Sequence, residues 1–466
     1  MIPMSLAEIA AAVDGALVGA ADPGVRVTGS VEFDSRKVGP GGLFAAFVGE
    51  RADGHDFAEQ ARAAGAVAVL GTRATPVPTI VVPDTRVALG RLARAVVDRL
   101  PELTIVGVTG SSGKTSTKDM IVALLARHGP TVGPPGSFNN ELGLPHTVLK
   151  VDAGTRYLVL EMGSRGEGHI SYLCDIAPPR IAVEINVGVA HIGEFGSVDA
   201  IARAKAELVR ALPADGVAVL NADDERVRAM ADQTTATVVL AGEAADATVR
   251  ASDVALDERG RATYTLSTPE GQATVRLRVA GRHQVGNSLL AAAVARAAGM
   301  ALPDLATALS EVTPASSRRM DVFDRPDGVT VIDDSYNANP ASTAAALRAL
   351  AAIGAGRRRV AVLGYLAELG EQEREGHRQV GQLAAELGVD RLVVVGAEAA
   401  PIHDGAVAVP NWGGESVVVS DQDAAVAWLR SAMRPGDVVL VKGSRYRTWT
   451  VADALRDEDL IGLVTS

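Results

Sequence analysis

The chain has 466 residues, room for about three domains of ordinary size. With 47% hydrophobic and 22% charged residues, 48 glycines and 22 prolines, its composition excludes a collagen-like or largely disordered chain. A formal net charge of −11 argues against a protein that covers a long nucleic-acid backbone, although single loops can still hold small anions.

The opening stretch MIPMSLAEIAAAVDG carries no basic residue before Arg26, so it lacks the charged start of a secretory signal. No apolar run approaches the ~18 residues of a membrane helix. The single cysteine, Cys174, sits among apolar neighbours in HISYLCDIAPPR, which predicts a buried thiol and no disulfide. These features lead us to expect a cytoplasmic protein, a monomer, with neither membrane nor nucleic acid as partner.

Residues 1–84 alternate short apolar runs with Gly-rich turns. VEFDSRKVGPGGLFAAFVG reads as strand, loop and strand, FAEQARAAGA as a helix feeding the strand VAVL, and TIVVPD as the closing strand of a small α/β unit. A second unit, 85–313, starts with a helix at 85–100 that leads through Pro101 into the β-rich run LTIVGVTG (103–110) and a helix from Lys114. Further strands are expected at YLVLEMG (157–163), RIAVEINVG (180–188), GVAVLN (216–221) and TVVLAG (237–242). Helical segments between them predict a parallel sheet covered by helices. ATYTLSTPEGQATVRLRV then alternates with period two around PEGQ, the pattern of an antiparallel hairpin, and a helix follows at 286–299. A third unit, 314–466, has strands at 328–334, 358–364, 391–397 and 437–443 separated by helices near 340–353, 375–388 and 421–433. The expected fold class is thus α/β in three domains: a small N-terminal one, a central P-loop sheet with an antiparallel hairpin, and a C-terminal Rossmann-like one. The connections near 85–102 and 314 read as hinges.

The segment Gly107-Val-Thr-Gly110-Ser-Ser-Gly113-Lys114-Thr115 follows a strand and opens a helix. Backbone N–H groups and side chains of Gly110, Ser111, Ser112, Gly113 and Ser116 suit phosphate oxygens, Lys114 supplies a point charge, and the Thr115 hydroxyl suits Mg²⁺. The generic spacing puts the first glycine at 108, where this chain has Val108. By itself the loop leaves kinase, GTPase, motor and ligase open, and the absence of an N-K-x-D segment argues against the GTPase. Glu161 and His191 fall at strand ends, on the edge where open α/β sheets bind ligands, and both suit a metal. Lys205, in IARAKAEL, reads from its pattern as a surface lysine.

Taken together these segments resemble the Mur ligase family, cytoplasmic ATP-dependent amide-forming enzymes of peptidoglycan synthesis. The family plan is a UDP-binding domain, an ATPase domain and a C-terminal Rossmann-like domain. GVTGSSGKT matches the family's G-x-T-G-x-x-G-K-T, which accounts for the displaced glycine, and AHIGEFGS followed by AKAEL matches as well. In that context the lysine is typically carbamylated, so the resemblance implies a carbamate on Lys205 and two Mg²⁺ ions held by Thr115, Glu161, His191 and Lys205. DDSYNANP (333–340), NNELGLP (139–145) and VKGSR (441–445) are similar to the member that joins D-alanyl-D-alanine to UDP-N-acetylmuramoyl-tripeptide through an acyl phosphate. The third residue of that peptide, meso-diaminopimelate or L-lysine, stays open. Ser35, Arg36, Asn139, Asn140, Lys442 and Ser444 are the implied substrate contacts. His283, Asn287 and Asn337 are implied on the nucleotide, although Gln284 stands where the family usually has Asn and Tyr365 where Asp is common. Lys114, Lys205, His191 and Arg319 are the implied catalytic set, and the adjacent Arg318 leaves the register of that arginine open. Another amide ligase of the superfamily, such as a folylpolyglutamate synthase, would lack DSYNANP and the separate N-terminal unit.

Overall fold

The computed structural model describes residues 1–19, 22–188, 192–444 and 447–456. Three sheets carry it. The first, near the N-terminus, runs in the order Ala16–Val18, Thr79–Val81, Ala66–Gly71, Gly42–Ala45, Val31–Glu32, with a two-stranded ribbon of Met4–Ser5 and Arg26–Val27 beside it. The helix Leu6–Val13, which the sequence reading passed over, starts at a capping box. Ser5 Oγ accepts from the Glu8 N–H, and the Glu8 carboxylate accepts from the Ser5 N–H.

Nine strands form the central sheet. From one edge they are Gly271–Ala280, Arg261–Thr268, Val249–Leu256, Thr237–Gly242, Val217–Asn221, Ile181–Glu184, Thr104–Thr109, Tyr157–Glu161 and Thr131–Val132. The pairs from Val249–Leu256 to Thr131–Val132 are parallel and the outer hairpin is antiparallel. The inner strands Ile181–Glu184, Thr104–Thr109 and Tyr157–Glu161 are mostly apolar and buried because helices cover both faces. After Thr104–Thr109 the chain adds Tyr157–Glu161 on one side and then crosses to add Ile181–Glu184 on the other. The loop that follows Thr109 therefore emerges at the point where strand order reverses and a crevice opens. Register places Glu161 beside Val108 and Glu184 beside Thr109, so two carboxylates flank that loop.

The third sheet has the order Asp321–Asp324, Thr330–Asp333, Val438–Lys442, Arg359–Leu363, Arg391–Val395, Glu415–Val419, parallel except for its first pair. Its two edge strands, Asp321–Asp324 and Glu415–Val419, escaped the sequence reading. Both are only partly buried, and their apolar stretches are no longer than three residues.

The expected hinge at 85–102 is instead a structural joint. Asp84 caps the helix Thr85–Val97 by accepting from the Arg86 and Val87 N–H groups at 2.7 and 3.1 Å. Its Leu89, Leu92, Ala93 and Val96 are buried in one apolar cluster that runs from Leu6, Ile9 and Leu70 of the N-terminal unit to Leu158, Leu160 and Leu208 of the central one. A shared core of this kind does not bend freely. The third sheet has clusters of its own on its two faces. Its contacts with the central unit include an Arg259–Asp324 ion pair, Ala280 in its apolar cluster, Ile353 beside Gly260, and a close approach of glycine on glycine. A Cβ on Gly193 would lie 2.6 Å from Gly370 N and 2.8 Å from Gly370 Cα, and a Cβ on Gly370 would lie 2.6 Å from Gly193 Cα.

Two outcomes follow from this division. Leu92→Ala should cost about 2–5 kcal/mol and lower the N-terminal and central units in one cooperative transition, read by calorimetry. Gly193→Ala lies in the short helix Ile192–Phe195, where alanine is locally favourable. It should leave the melting temperature of the central unit unchanged while enlarging the radius of gyration in small-angle scattering, because the third domain can no longer seat.

Candidate active site

One cleft of about 540 Å³ lies between the central and C-terminal units, and Ser111 to Ser116, Glu161, His283, Asn287, Arg319, Asn337, Lys442 and Ser444 all line it. The loop at its floor is shaped by close backbone approach. Gly113 has φ +84°, and a Cβ there would come within 2.9 Å of Asn287 Oδ1. Gly107, the displaced glycine, lies inside the strand, where a Cβ would meet Leu208 at 2.8 Å. It serves packing and not the phosphate cradle. Asn186 holds the loop from the neighbouring strand end. Its Oδ1 accepts from Ser112 N–H at 2.9 Å, its Nδ2 donates to Ser112 O at 3.2 Å, and its carbonyl accepts from Ser111 N–H. The sequence reading missed Asn186, although its place in EINVG after a strand was the available signal.

Lys114 opens the helix Lys114–Leu125, and its Nζ donates to Gly110 O at 2.7 Å. Burial lowers its affinity for a proton, with Glu161 opposing and Arg319 adding to the effect. Thr115 Oγ1 donates to one oxygen of Glu161 at 2.8 Å and Asn139 Nδ2 to the other at 2.8 Å. Asn139 therefore orients the buried carboxylate.

Lys205 ends the helix Val198–Lys205 and is 6% exposed, which overturns its reading as a surface lysine. Burial pulls its ammonium down to about 7. The charge of Lys114 adds to that, and Glu184 opposes it. Glu184 is fully buried, neither of its carboxylate oxygens has a hydrogen-bond partner among the described residues, and burial raises its pKa well above the usual carboxylate range. It is a second residue the sequence reading missed, hidden inside an apolar strand. The neighbouring Glu207 has a separate task, since its carboxylate caps the helix His169–Ile176 by accepting from the Gly168 and Ser171 N–H groups at 2.6 and 2.9 Å. His191 lies outside the described residues. Among those described, no three His, Cys, Asp or Glu side chains gather to hold a metal ion. The protein oxygens near the loop, from Thr115 and Glu161, are hard donors that suit Mg²⁺ in partnership with phosphates and water.

Along the helix Gln284–Ala297, Asn287 Nδ2 donates to Gln284 Oε1 at 2.8 Å. Gln284 thus fits its site by pairing with the asparagine next to it. Burial lowers the pKa of His283, which keeps its imidazole neutral.

The C-terminal wall separates the two arginines. Arg318 pairs with Asp453 at 2.9 Å and faces the Trp449 ring, whereas Arg319 lines the cleft with its guanidinium over the Tyr336 ring, 4.3 Å from the centroid. Lys442 is 2% exposed and donates to Asp334 and to Asn337 O, the latter at 2.9 Å. Its charge is spent on holding the DSYN turn and is not free for an anion. Ser444 Oγ donates to Tyr365 O and accepts from Ala367 N–H, both at 2.9 Å. Tyr365 turns away, its hydroxyl donating to Glu373.

Three expected contacts are elsewhere. Ser35 Oγ donates to Gln60 Oε1 at 2.8 Å, and Arg36 binds Asp34 at 2.9 Å and holds that carboxyl at about 2. Both lie in the N-terminal unit outside the cleft. Asn140 Oδ1 accepts from Leu142 and Gly143 N–H at 3.2 and 2.9 Å, so it caps the start of the helix Gly143–Val148. Cys174 is buried as expected, its thiol pushed up to about 12.

Comparison with known proteins places this geometry in a family. Residues 20–97 match the Mur ligase family catalytic domain, 108–295 the Mur ligase middle domain, and 318–445 the Mur ligase glutamate ligase domain. A UDP-N-acetylmuramoyl-tripeptide–D-alanyl-D-alanine ligase of Mycobacterium tuberculosis is 50% identical over 508 aligned positions, with 100% of each chain covered. The crystal structure of MurF from Acinetobacter baumannii superposes with a TM-score of 0.88 at 31% identity, covering 98% of this chain and 99% of that one. MurF from Thermotoga maritima, solved in complex with ADP, superposes with a TM-score of 0.79 at 30% identity, covering 93% and 98%. With the three matches in order along the chain and a relative sharing half its positions end to end, the chain belongs to the Mur ligase family.

Proposed function

We infer that the protein joins D-alanyl-D-alanine to UDP-N-acetylmuramoyl-tripeptide with ATP, completing the peptide of the peptidoglycan precursor. The observation that carries this reading is that the phosphate loop and the DSYNANP turn face each other across one cleft. The tripeptide's terminal carboxylate attacks the γ-phosphorus, a C–O–P bond forms, and the bond to ADP breaks. The amine of D-alanyl-D-alanine then attacks that carbonyl carbon, and the tetrahedral intermediate collapses to an amide as phosphate leaves. The chain contributes positioning and charge. Lys114 meets the phosphates from the floor, Arg319 spreads the transferring charge from the opposite wall, and the seated C-terminal unit keeps water from the acyl phosphate. The amides of Asn287 and Gln284 offer a donor and acceptor edge to adenine. We place the reaction in the cytoplasm, where ATP is available; among the described residues no helix is long and apolar enough to cross a membrane.

We further propose that Lys205 carries a carbamate. An amine that loses its proton near 7 is nucleophilic at neutral pH, and its attack on CO₂ would turn a buried cation beside Lys114 into an oxygen donor. Burial disfavours the charged form of Glu184, which weakens its opposition to a new negative charge there. Thr115, Glu161 and the carbamate would then hold Mg²⁺, with His191 as a further ligand; the ion's chemistry is to neutralise phosphate charge.

Coupling assays with D-alanyl-D-alanine and UDP-linked tripeptides ending in meso-diaminopimelate or L-lysine, tested separately, should show ATP-dependent product with one of them. Lys114→Ala should abolish turnover, by at least about a thousandfold, with an unchanged melting temperature. ATP consumption that needs neither carboxylate nor amine would identify a nucleotide switch and overturn the ligase reading. For Lys205, native mass spectrometry in bicarbonate at pH 8 should show the added mass of one CO₂, absent in Lys205→Ala. Because the amine takes up its proton below about 7, the adduct should form more slowly as pH falls through that value. An unmodified mass at every pH would remove the carbamate.

A further inference from the structure

Arg319 is presented by a strained turn. The residues on either side of it, Arg318 and Met320, have φ of +61° and +51°, values that side-chain-bearing residues adopt at a cost. Both neighbours are fixed. Arg318 is tied to Asp453 and its carbonyl accepts from Tyr336 N–H at 3.2 Å, while Met320 N–H donates to Asp334 Oδ1 at 3.1 Å. The guanidinium of Arg319, by contrast, takes part in no ion pair among the described residues, and its contact is the ring of Tyr336. Tyr336 lines the cleft and is 43% exposed. Its hydroxyl and Ser137 Oγ are hydrogen-bonded at 2.9 Å across the boundary between the C-terminal and central units. Ser137 is two residues before Asn139, which orients Glu161.

We propose that Tyr336 is a positioning residue with two separable roles. Its ring aims Arg319 into the cleft, and its hydroxyl couples that aim to the seating of the C-terminal unit on the loop at Ser137. The backbone clamps fix where Arg319 starts, whereas a long side chain with several rotatable bonds still needs a surface to select one direction. The ring supplies that surface, and the hydroxyl's bond to Ser137 keeps it in register with the seated C-terminal unit. In the open arrangement Arg319 loses its aim, so phosphoryl transfer is tied to closure. This inference rests on the ligase reading above.

Steady-state rates for Tyr336→Leu, Tyr336→Phe, Ser137→Ala and Arg319→Ala, with the double variants, test it. Tyr336→Leu should lower kcat by about tenfold with KM for D-alanyl-D-alanine within about twofold. In the Arg319→Ala background the same change should have no further effect on kcat. Tyr336→Phe keeps the ring and should regain most of that loss. Its remaining defect should match that of Ser137→Ala and not add to it. Thermal melting of each variant separates misfolding from misaiming. Losses that multiply in Tyr336→Leu/Arg319→Ala, or an unchanged kcat in Tyr336→Leu, would overturn the proposal. A wild-type chain without ligase activity would overturn the function itself, and small-angle scattering with an ATP analogue would then still report whether Tyr336→Phe and Ser137→Ala open the molecule alike, as the proposal expects, or unlike, which would refute it.

Discussion

The cleft depends on burying charge at the edge of a parallel sheet. Lys114, Lys205, Glu161 and Glu184 all sit where strand ends and a helix start crowd around one loop, the last three buried and Lys114 half-buried at the cleft floor. Buried charges persist only when partners or a shift in protonation compensate them. The chain uses both solutions. Glu161 is satisfied by the Thr115 hydroxyl and the Asn139 amide, whereas Glu184 has no hydrogen-bond partner among the described residues, and burial pushes both it and Lys205 toward their neutral forms.

Around that cluster the three units are joined in two physically different ways. The helix Thr85–Val97 merges the N-terminal and central units through a continuous apolar core, where relative motion would open cavities. The C-terminal unit meets the central one through a smaller set of contacts that includes a glycine pair, the Ser137–Tyr336 hydrogen bond, a bond between Ser112 and Asn339, and an exposed Arg259–Asp324 ion pair. Contacts of that kind can be made and broken at little cost, so the wall that carries Arg319 is the one suited to move. Asn339 shows how closely these levels are linked: it caps the helix Pro340–Ile353 and reaches the phosphate loop with the same side chain.

Much of this was legible in the amino-acid order. The phosphate loop, the apolar strands of the central and third sheets, the hairpin around Pro269 and Glu270, and the DSYNANP turn are all local patterns. Local patterns are set by backbone sterics and by burial on one or both faces. Motif resemblance carried the family for the same reason, since GVTGSSGKT and DSYNANP are contiguous.

Tertiary structure decided what depends on neighbours distant in sequence. Lys205 reads as a surface residue until the fold buries it within electrostatic reach of Glu184 and Lys114. Lys442, implied as a substrate contact, is paired with Asp334, 108 positions away. Arg318 is held by Asp453 whereas Arg319 lies over the Tyr336 ring, and the helix at 85–97 became a joint because two units share its apolar face. A charge's solvent exposure and partner are properties of the assembled surface and not of the residues beside it in the chain. The sequence therefore determined which chemistry-bearing side chains are present and on which elements they ride. Folding alone decided which of them remain free to meet phosphate and which are consumed in holding the cleft together.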